Sequence, residues 1–492
     1  MTFPKESPDA VAEASEPSAS TLRTRPPGLS LAAFPALIFN LLPNRWQARL
    51  TEGSVARRVL TLAWPSVAEQ SLITLIGLVD AYIVGHLGAA ALAGVGLGGQ
   101  VMNLVAAVFG AVGVGATALV ARSIGAHDPE EANRLARQAV LLALVIGMIA
   151  ALMTFGFAPN LMLWLGAAPD VADKGVAWLR TVAPAFGLIG VLLVGNASLR
   201  GAGDTRSPLW VMVLVNIANV GVAWAFTRGL FGLPNLGVVG SALGAMSGQI
   251  IGGVMVLALL IRGRGPLKLA LSWPAPDPDR LKRLLNIGLP AGAEQVLLQI
   301  ALLNLAAIIS QFGTAAYAAH SIGLRIAALS YLPGWGFSVA ATTLVGQELG
   351  AKNPERARQS TYAAYALALA LMTLMGALLF IFEEPILRLF TTDAAVLAAG
   401  AIVIHSSALQ QPLLATAFVF SGALRGAGDT RAAMLISLTS IWGLRLAAAY
   451  LLGVVFGLGL FGAWLGIAVD FSFRALMFWL RFRSGKWATL RV

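Results

Sequence analysis

The chain has 492 residues, of which 58% are hydrophobic and 12% are charged. Because soluble globular domains carry about 25% charged residues, this composition excludes that class and indicates a polytopic helical membrane protein. The chain has no cysteine, which excludes disulfides and thiolate metal sites, and its net charge is +11. The basic residues lie between apolar segments, so we assign them to the cytoplasmic face of a membrane and expect no nucleic-acid partner.

The first 50 residues differ in character from the rest of the chain. Residues 1–30 are rich in Pro, Ser, Ala and Glu without an apolar core, which is typical of a disordered tail. Leu29–Leu42 is apolar but short and contains Pro35, which favours an interfacial segment over a span. Four regions are therefore expected: a tail over 1–50, a six-helix bundle over 51–265, a cytoplasmic linker over 266–281, and a second six-helix bundle with a short tail over 282–492.

Twelve apolar segments follow the tail, and the pattern predicts that each is a helix crossing the roughly 30 Å hydrocarbon core. In the first half they lie near 57–85, 91–121, 134–158, 172–199, 206–228 and 236–262. In the second half they lie near 282–311, 316–346, 357–382, 396–424, 431–455 and 459–482. Lys and Arg concentrate in the loops after the even-numbered spans, so the positive-inside rule predicts that both termini are cytoplasmic.

The octapeptide LRGAGDTR occurs twice, at Leu199–Arg206 and at Leu424–Arg431. The same shift of 225 residues relates Pro65 to Pro290 and the Ala-Glu-Gln at 68–70 to that at 293–295. Because each half has an even number of spans, both copies enter the membrane with the same orientation. The expected fold is therefore an all-α polytopic membrane protein whose twelve helices form two parallel six-helix repeats around a central cleft.

The octapeptide itself does not fit a phosphate-binding loop, which requires a Lys and a preceding strand. It is typical of a tight connection between two helices, where Gly203 gives the turn its freedom and Asp204 caps the next helix. In that interpretation Arg200 and Arg206 mark the cytoplasmic side and can pair with Asp204. A direct contact with substrate is the alternative.

Asp80 is the strongest candidate for a coupling residue. It lies inside span 1, in LIGLVDAYIVG, with no basic residue within a helical turn. A carboxylate in a low-dielectric cleft takes up a proton more readily than one in water, as proton coupling requires. The alternative is a carboxylate near the outer interface that is hydrated or bonded to Tyr82 or His86. Leu305 stands at the equivalent position of the second repeat, so chemistry carried by Asp80 must lie in the first half.

Glu69 and Glu294 are repeat mates, and Glu69 lies on nearly the same helix face as Asp80, about 16 Å away. They are expected either to line the cytoplasmic half of the cleft as further cation-coupling residues or to fix helix packing between the halves. Pro65 and Pro290 are expected to permit bending of their helices. Uncharged polar residues inside spans are candidates for the substrate cleft or for helix packing: Gln70, Asn196, Asn216, Asn219, Gln295, Gln299 and Asn304.

These motifs resemble the multidrug and toxic compound extrusion (MATE) family, most closely its DinF-like bacterial branch. The resemblance covers roughly residues 55–485. It rests on P-x-x-x-E-Q in spans 1 and 7, GLVDAYIVGHLG at 77–88, NASLRGAGDT at 196–205, AAHSIGLRI at 318–326 and SIWGLRL at 440–446. The resemblance implies export of amphipathic, often cationic organic compounds in exchange for H⁺ or Na⁺.

Some residues match the family pattern and others depart from it. Pro65 and Asp80 match the Pro and Asp of the family's first helix, where protonation of the Asp bends the helix, and Asn216 matches an Asn of the fifth helix. Val220 stands where the family has a second polar residue, and the deeper acid of span 7 is replaced by an apolar residue near Leu298. Span 10 also has no acid, so the departures disfavour a Na⁺ site in the second half and favour proton coupling.

The sequence therefore predicts a proton-coupled antiporter of the bacterial inner membrane that acts as a monomer on small amphipathic substrates. No catalytic motif occurs, so we expect no enzyme activity, no cofactor and no metal site. The alternatives are a Na⁺-coupled drug antiporter, a flippase for lipid-linked precursors, which usually has a strongly cationic cavity, and a channel.

Overall fold

The computed structural model describes residues 55–263, 267–270 and 275–490. The expected tail over 1–50, with its interfacial segment, lies outside these residues. Nearly all of the described chain is helical, and twelve long helices run in chain order. The all-α prediction is confirmed.

Six long helices form each half. The first half contains α1 (Val55–Gly85), α2 (Ala89–Gly125), α3 (Pro129–Trp164), α4 (Pro169–Gly201), α5 (Arg206–Arg228) and α6 (Val238–Arg262). The second contains α7 (Pro278–Ser310), α8 (Thr314–Gly350), α9 (Pro354–Ile381), α10 (Ala394–Gly426), α11 (Thr430–Val455) and α12 (Gly459–Arg483). A single 3₁₀ turn, Ala183–Ala185, interrupts α4, and a short helix, Glu383–Arg388, precedes α10.

Eleven of these helices are long and apolar enough to cross a membrane, and the exception within the described residues is α8. This helix packs against α1, α2, α9 and α10, which bury more than half of its residues. A helix sheltered by its neighbours does not need an apolar surface on every side. It can therefore carry polar residues such as His320, Ser330 and Gln347 that a lipid-facing helix could not.

The two halves share details of helix capping and of backbone conformation. Asp128 accepts the N–H of Glu131 at 2.9 Å and caps α3, and its repeat mate Asn353 accepts the N–H of Arg356 at 3.0 Å and caps α9. The residue before each cap has a left-handed backbone, with φ of 58° at His127 and 57° at Lys352. The parallel six-helix repeats predicted from the octapeptide are thus confirmed.

The two halves meet tightly at the end of the molecule that holds both octapeptides, which we call the octapeptide end. At Gly125 in α2 a Cβ would overlap the carbonyl group of Gln347, and at Gly350 in α8 it would overlap that of Arg122. Glycine is therefore required at both points of this two-fold crossing. The octapeptide end is closed in this structure.

The segment between the halves is fastened to α3 of the first half. The N–H of Lys268 donates to the side-chain oxygen of Asn133 at 2.7 Å, and the Gln138 amide donates to the carbonyl of Ala275 at 2.7 Å. These contacts join the connection to the first half before α7 begins. The described part of the linker is thus a packed segment.

Asp277 caps α7, which begins at Pro278, four residues before the predicted start. Its carboxylate accepts the N–H of Arg280 and that of Asp279, each at 3.1 Å. The hydrogen bond from the Arg280 N–H holds the pKa of Asp277 below its usual range, because it favours the charged form. This cap therefore stays charged at neutral pH and takes no part in proton exchange.

Candidate transport cavity and coupling site

A cavity of about 560 Å³ lies between the two halves, walled by α1, α2 and α4 on one side and by α7, α8 and α10 on the other. Its polar residues include three two-fold pairs with the 225-residue spacing: Gln70 with Gln295, Thr117 with Thr342, and Arg200 with Arg425. Each threonine hydroxyl donates to a backbone carbonyl 80 residues further on, at 2.9 and 2.8 Å. The cavity is therefore built twice from the same parts.

The charged side chains on the cavity wall are arginines, and not the glutamates that the sequence predicts there. Arg200 donates to Glu69 at 2.8 Å, and Arg425 donates to Glu294 at 2.9 Å. The arginine side chains are 22% and 23% exposed, against 7% and 11% for the glutamates. The wall of the cavity therefore presents the arginines, and the acids expected to line the cleft lie behind them as partners. Each pair joins two helices of one half, so the pairs fix packing within each half and not between the halves as the alternative expected.

The arginines of the octapeptide reach the cavity because of where they stand in their helices. Arg200 lies in the last turn of α4, and side chains of an α-helix point back toward its N-terminus. The guanidinium therefore extends into the molecule and pairs with Glu69, which corrects the suggestion that it pairs with Asp204. The cap prediction is confirmed, because Asp204 accepts the N–H of Ser207 at 2.9 Å.

The second copy of the octapeptide has different partners. Asp429 forms no side-chain cap and pairs instead with Arg481 of α12 at 2.7 Å. Glu294 also accepts the hydroxyl of Ser437 at 2.6 Å. Identical sequences therefore take different contacts, because the helices around them differ between the halves.

Sequence reasoning missed a buried ionic cluster between α11 and α12. Asp470 is fully buried and pairs with both Arg445 and Arg474, the latter at 2.7 Å. Ser440 donates to the same carboxylate from a π-helical stretch, Thr439–Leu446. An ionisable residue in each of two adjacent spans was the available signal.

Asp80 meets an amide on α5. Its Oδ2 accepts the Nδ2 of Asn219 at 3.3 Å, and Asn219 is buried. His86 is bonded to the backbone carbonyl of Tyr82 at 2.8 Å and its ring packs on the Tyr82 ring, and neither side chain forms a hydrogen bond with Asp80 among the described residues. Two of the predicted residues are thereby brought together, and they lie away from the cavity wall.

The other predicted residues divide into two groups. Gln299 joins Gln70 and Gln295 on the cavity wall. Asn196 is buried in helix packing, and Asn216 and Asn304 donate to carbonyls one turn back on their own helices, each at 2.8 Å. These three asparagines do not line the cavity, which corrects their assignment to the substrate cleft. The burial of Asn196 agrees with the packing alternative, whereas Asn216 and Asn304 bond within their own helices.

The two prolines lie inside continuous helices, Pro65 in α1 and Pro290 in α7. A proline has no N–H, so Pro65 leaves the Thr61 carbonyl without its helical donor. The Thr205 hydroxyl of the first octapeptide lies 3.5 Å from that carbonyl. The expected bending at these prolines stays a prediction.

The twelve helices, the duplicated halves and the cavity between them are the features of a helical membrane transporter. The MatE family model matches the chain twice, over residues 65–225 and 290–451, which together exceed half of its length. The two matches begin with the same spacing as the octapeptides. The chain belongs to the MatE family of multidrug and toxic compound extrusion transporters, and it is a drug-export transporter and not an enzyme.

Similar proteins agree with this assignment. The chain is 33% identical over 439 residues to a probable multidrug resistance protein NorM of Thermotoga maritima, covering 88% of this chain and 93% of that one. It is 28% identical to the multidrug resistance protein PmpM of Pseudomonas aeruginosa, over 86% and 90% of the two chains. A solved multidrug resistance MATE transporter of the MOP superfamily in an outward-facing conformation matches with a TM-score of 0.82 and 25% identity, covering 88% and 96%. The predicted family is confirmed.

Proposed function

We propose that the protein exports amphipathic, often cationic organic compounds in exchange for protons by alternating access, with Asp80 as the coupling group. The observation that carries this proposal is the contact between Asp80 and Asn219 in the first half. The second half has the apolar, buried Leu305 at the position of Asp80. Asp80 also lacks a basic partner among the described residues, in contrast to Glu69 and Glu294, so we assign proton exchange to Asp80 alone.

The Asp80–Asn219 pair can satisfy both protonation states of the carboxyl group. When charged, Asp80 accepts the amide N–H of Asn219, as it does here. Asp80 Oδ1 and Asn219 Oδ1 are buried and have no hydrogen-bond partner among the described residues. A protonated Asp80 could donate to the free amide oxygen, so protonation would reverse the hydrogen bond between α1 and α5. This reversal would link proton binding to the packing of α1, the helix that contains Pro65.

The orientation of the protein across the membrane decides which side the closed end faces in the proposed cycle. The positive-inside rule places the octapeptide end, and both termini, in the cytoplasm of a bacterial cell. The closed octapeptide end then corresponds to a state sealed from the cytoplasm. In this state a proton from outside would reach Asp80 and substrate would leave outward. We further propose that the protein acts as a monomer and belongs to the DinF-like branch.

A transport assay with Asp80→Asn tests the proposal. In proteoliposomes with an imposed pH gradient, we expect the variant to lose proton-driven export of a fluorescent organic cation while it stays folded in the membrane. Asp173→Asn is the matched control, because Asp173 is an exposed acid at the N-terminal end of α4. Wild-type export by Asp80→Asn would exclude Asp80 as the coupling group. Export driven by a Na⁺ gradient alone would favour the Na⁺-coupled alternative.

One observation keeps the lipid-linked precursor flippase as a second candidate. The cavity wall carries two arginines, and a cationic cavity fits the acidic head group of such a precursor. Translocation of a polyprenyl diphosphate-linked sugar, measured in the same vesicles, distinguishes this function from drug export.

A further inference from the structure

The cavity wall has charge of one sign. Among the described residues that line it, the charged side chains are Arg200 and Arg425. The remaining polar wall includes the amides of Gln70, Gln295 and Gln299. A substrate in this cavity therefore meets hydrogen-bond donors and positive charge, although the Arg–Glu pairs as a whole are neutral.

The salt bridges leave most of each guanidinium free to bind a ligand. A guanidinium has five N–H donors in a planar fork, and an oxygen of Glu69 or Glu294 takes one from each arginine. The arginine side chains are also the exposed members of their pairs, so N–H groups outside the salt bridges can face the cavity. The carboxylates hold the arginines in place from behind, so little side-chain freedom is lost when a ligand binds.

Apolar side chains supply the complementary part of the site. Phe109 and Trp335 line the same cavity, together with alanines and valines of α2 and α8. Aromatic walls accommodate the flat apolar body of an amphiphile, and an arginine fork suits the geometry of a carboxylate or phosphate. The cavity thus offers one kind of surface for each end of an acidic amphiphile.

We propose that this cavity binds an acidic group of the transported amphiphile, a carboxylate or phosphate, at Arg200 or Arg425. This inference rests on the proposed export function and narrows its substrate class to organic anions and zwitterions. Any cationic group of such a substrate would lie away from the two arginines. Arg200 and Arg425 are then substrate-binding residues, and Glu69 and Glu294 are positioning residues.

Binding of two dyes to the purified protein in lipid nanodiscs tests the inference. The probes are a rhodamine free acid, which is a zwitterion, and its methyl ester, which is a cation of nearly the same shape. A charge-assisted hydrogen bond in a site of this kind changes affinity by roughly tenfold or more, so we expect the free acid to bind at least that much more tightly. Equal binding, or tighter binding of the ester, would overturn the inference.

Paired substitutions locate the acidic group without leaving a lone buried charge. Glu69→Gln with Arg200→Gln, Glu294→Gln with Arg425→Gln, and all four together should progressively remove the preference for the free acid. Retained binding of the ester shows that each variant is folded. Arg200→Lys with Arg425→Lys keeps the charge and should restore part of the preference. The control is Glu130→Gln with Arg134→Gln, an exposed pair on α3 that should change nothing.

Separate measurements identify the acidic group and the failure of the proposed function. Competition by a short polyprenyl diphosphate would favour a phosphate, and competition by an aromatic carboxylate alone would favour a carboxylate; both support the acidic-group site. A preference for the free acid that survives all four substitutions would overturn it. If neither dye moves in response to a pH gradient, the proposed antiport fails, and the binding comparison still decides the inference.

Discussion

Asp80 and Asn219 form a polar contact in a region where each lost hydrogen bond is costly. The amide N–H of Asn219 holds one oxygen of the carboxylate, and the other oxygen has no partner among the described residues. A proton on this carboxylate would therefore reverse the hydrogen bond with Asn219. The same argument does not apply to Glu69, whose carboxylate is paired with Arg200.

Removing the amide at position 219 should slow coupled transport. Because a hydrogen bond to a charged group contributes about 1.5–3 kcal/mol, we expect Asn219→Ala to lower proton-driven export by roughly tenfold or more. Asn216→Ala is the matched control, since Asn216 bonds only within its own helix and should leave the rate near that of the wild type. Equal rates in the two variants would separate Asn219 from the coupling reaction. Initial rates in proteoliposomes give the comparison.

At the scale of helices, the crossing of α2 and α8 closes the octapeptide end. Gly125 and Gly350 bring the two backbones together where no Cβ fits. Arg58 of α1 reaches Glu348 of α8 across the same junction at 2.9 Å, and the arginine side chain is 42% exposed. The Glu348 side chain is 7% exposed, so this half-buried pair supplements the glycine crossing in closing this end.

A methyl group at this crossing should open the octapeptide end. Overpacking a close contact costs about 1–3 kcal/mol, so we expect Gly125→Ala to favour the open state. The chain has no cysteine, so Thr343→Cys provides a single buried thiol at the junction. Its labelling by a maleimide should accelerate several-fold with Gly125→Ala. It should not change with Gly99→Ala, where a Cβ on the same helix meets open space.

The helices themselves were predictable from the sequence, and their neighbours were not. The predicted span 206–228 coincides with α5. Helix α3 is longer than predicted at both ends, and at its start Asp128 caps it before the apolar run begins. Hydropathy defines where a helix runs, but it does not specify which helix lies opposite a given face. Asp80 was therefore recognised as a candidate, whereas its contact with Asn219 required the fold.

The inward direction of Arg200 was missed because charge at the end of a span was interpreted as a marker of the cytoplasmic side. The sequence did contain a relevant signal, since a glutamate in the first span of each half recurs together with an arginine in the fourth. A repeated pair of opposite charges in neighbouring spans predicts an ion pair. Asp470 and Arg445 carried the same kind of signal without a repeat to draw attention to it.

For the whole molecule, each half pairs its own intramembrane charges. Glu69 with Arg200 belongs to the first bundle, and Glu294 with Arg425 belongs to the second, as does Asp470 with its two arginines. Moving one bundle relative to the other therefore breaks none of these pairs. The contacts that must rearrange lie between the halves, and they include the glycine crossing and the Arg58–Glu348 pair at the octapeptide end.

This division predicts that the two halves assemble from separate chains. A break within residues 266–281 should give fragments that co-purify from the membrane and export substrate, because neither fragment holds an unpaired intramembrane carboxylate of these pairs. The control is a break in the loop between α8 and α9, which separates Glu294 from Arg425 and should abolish assembly. If both fragments are present in the membrane but purification of the tagged first half does not recover the second half, the prediction is contradicted.

Arg200 contacts the cavity and the closed end of the molecule through different atoms. Its guanidinium lies on the cavity wall, and its backbone carbonyl accepts the hydroxyl of Thr343 from the opposite half at 3.0 Å. The symmetric contact, from position 118 of α2 to the carbonyl of Arg425, cannot form, because Ala118 has no hydroxyl to donate. Thermodynamic linkage then makes the effect reciprocal: a ligand that binds more tightly when this hydrogen bond is formed must favour its formation by the same factor. For such a ligand, one residue of a repeated octapeptide would link occupancy of the cavity to closure of one end.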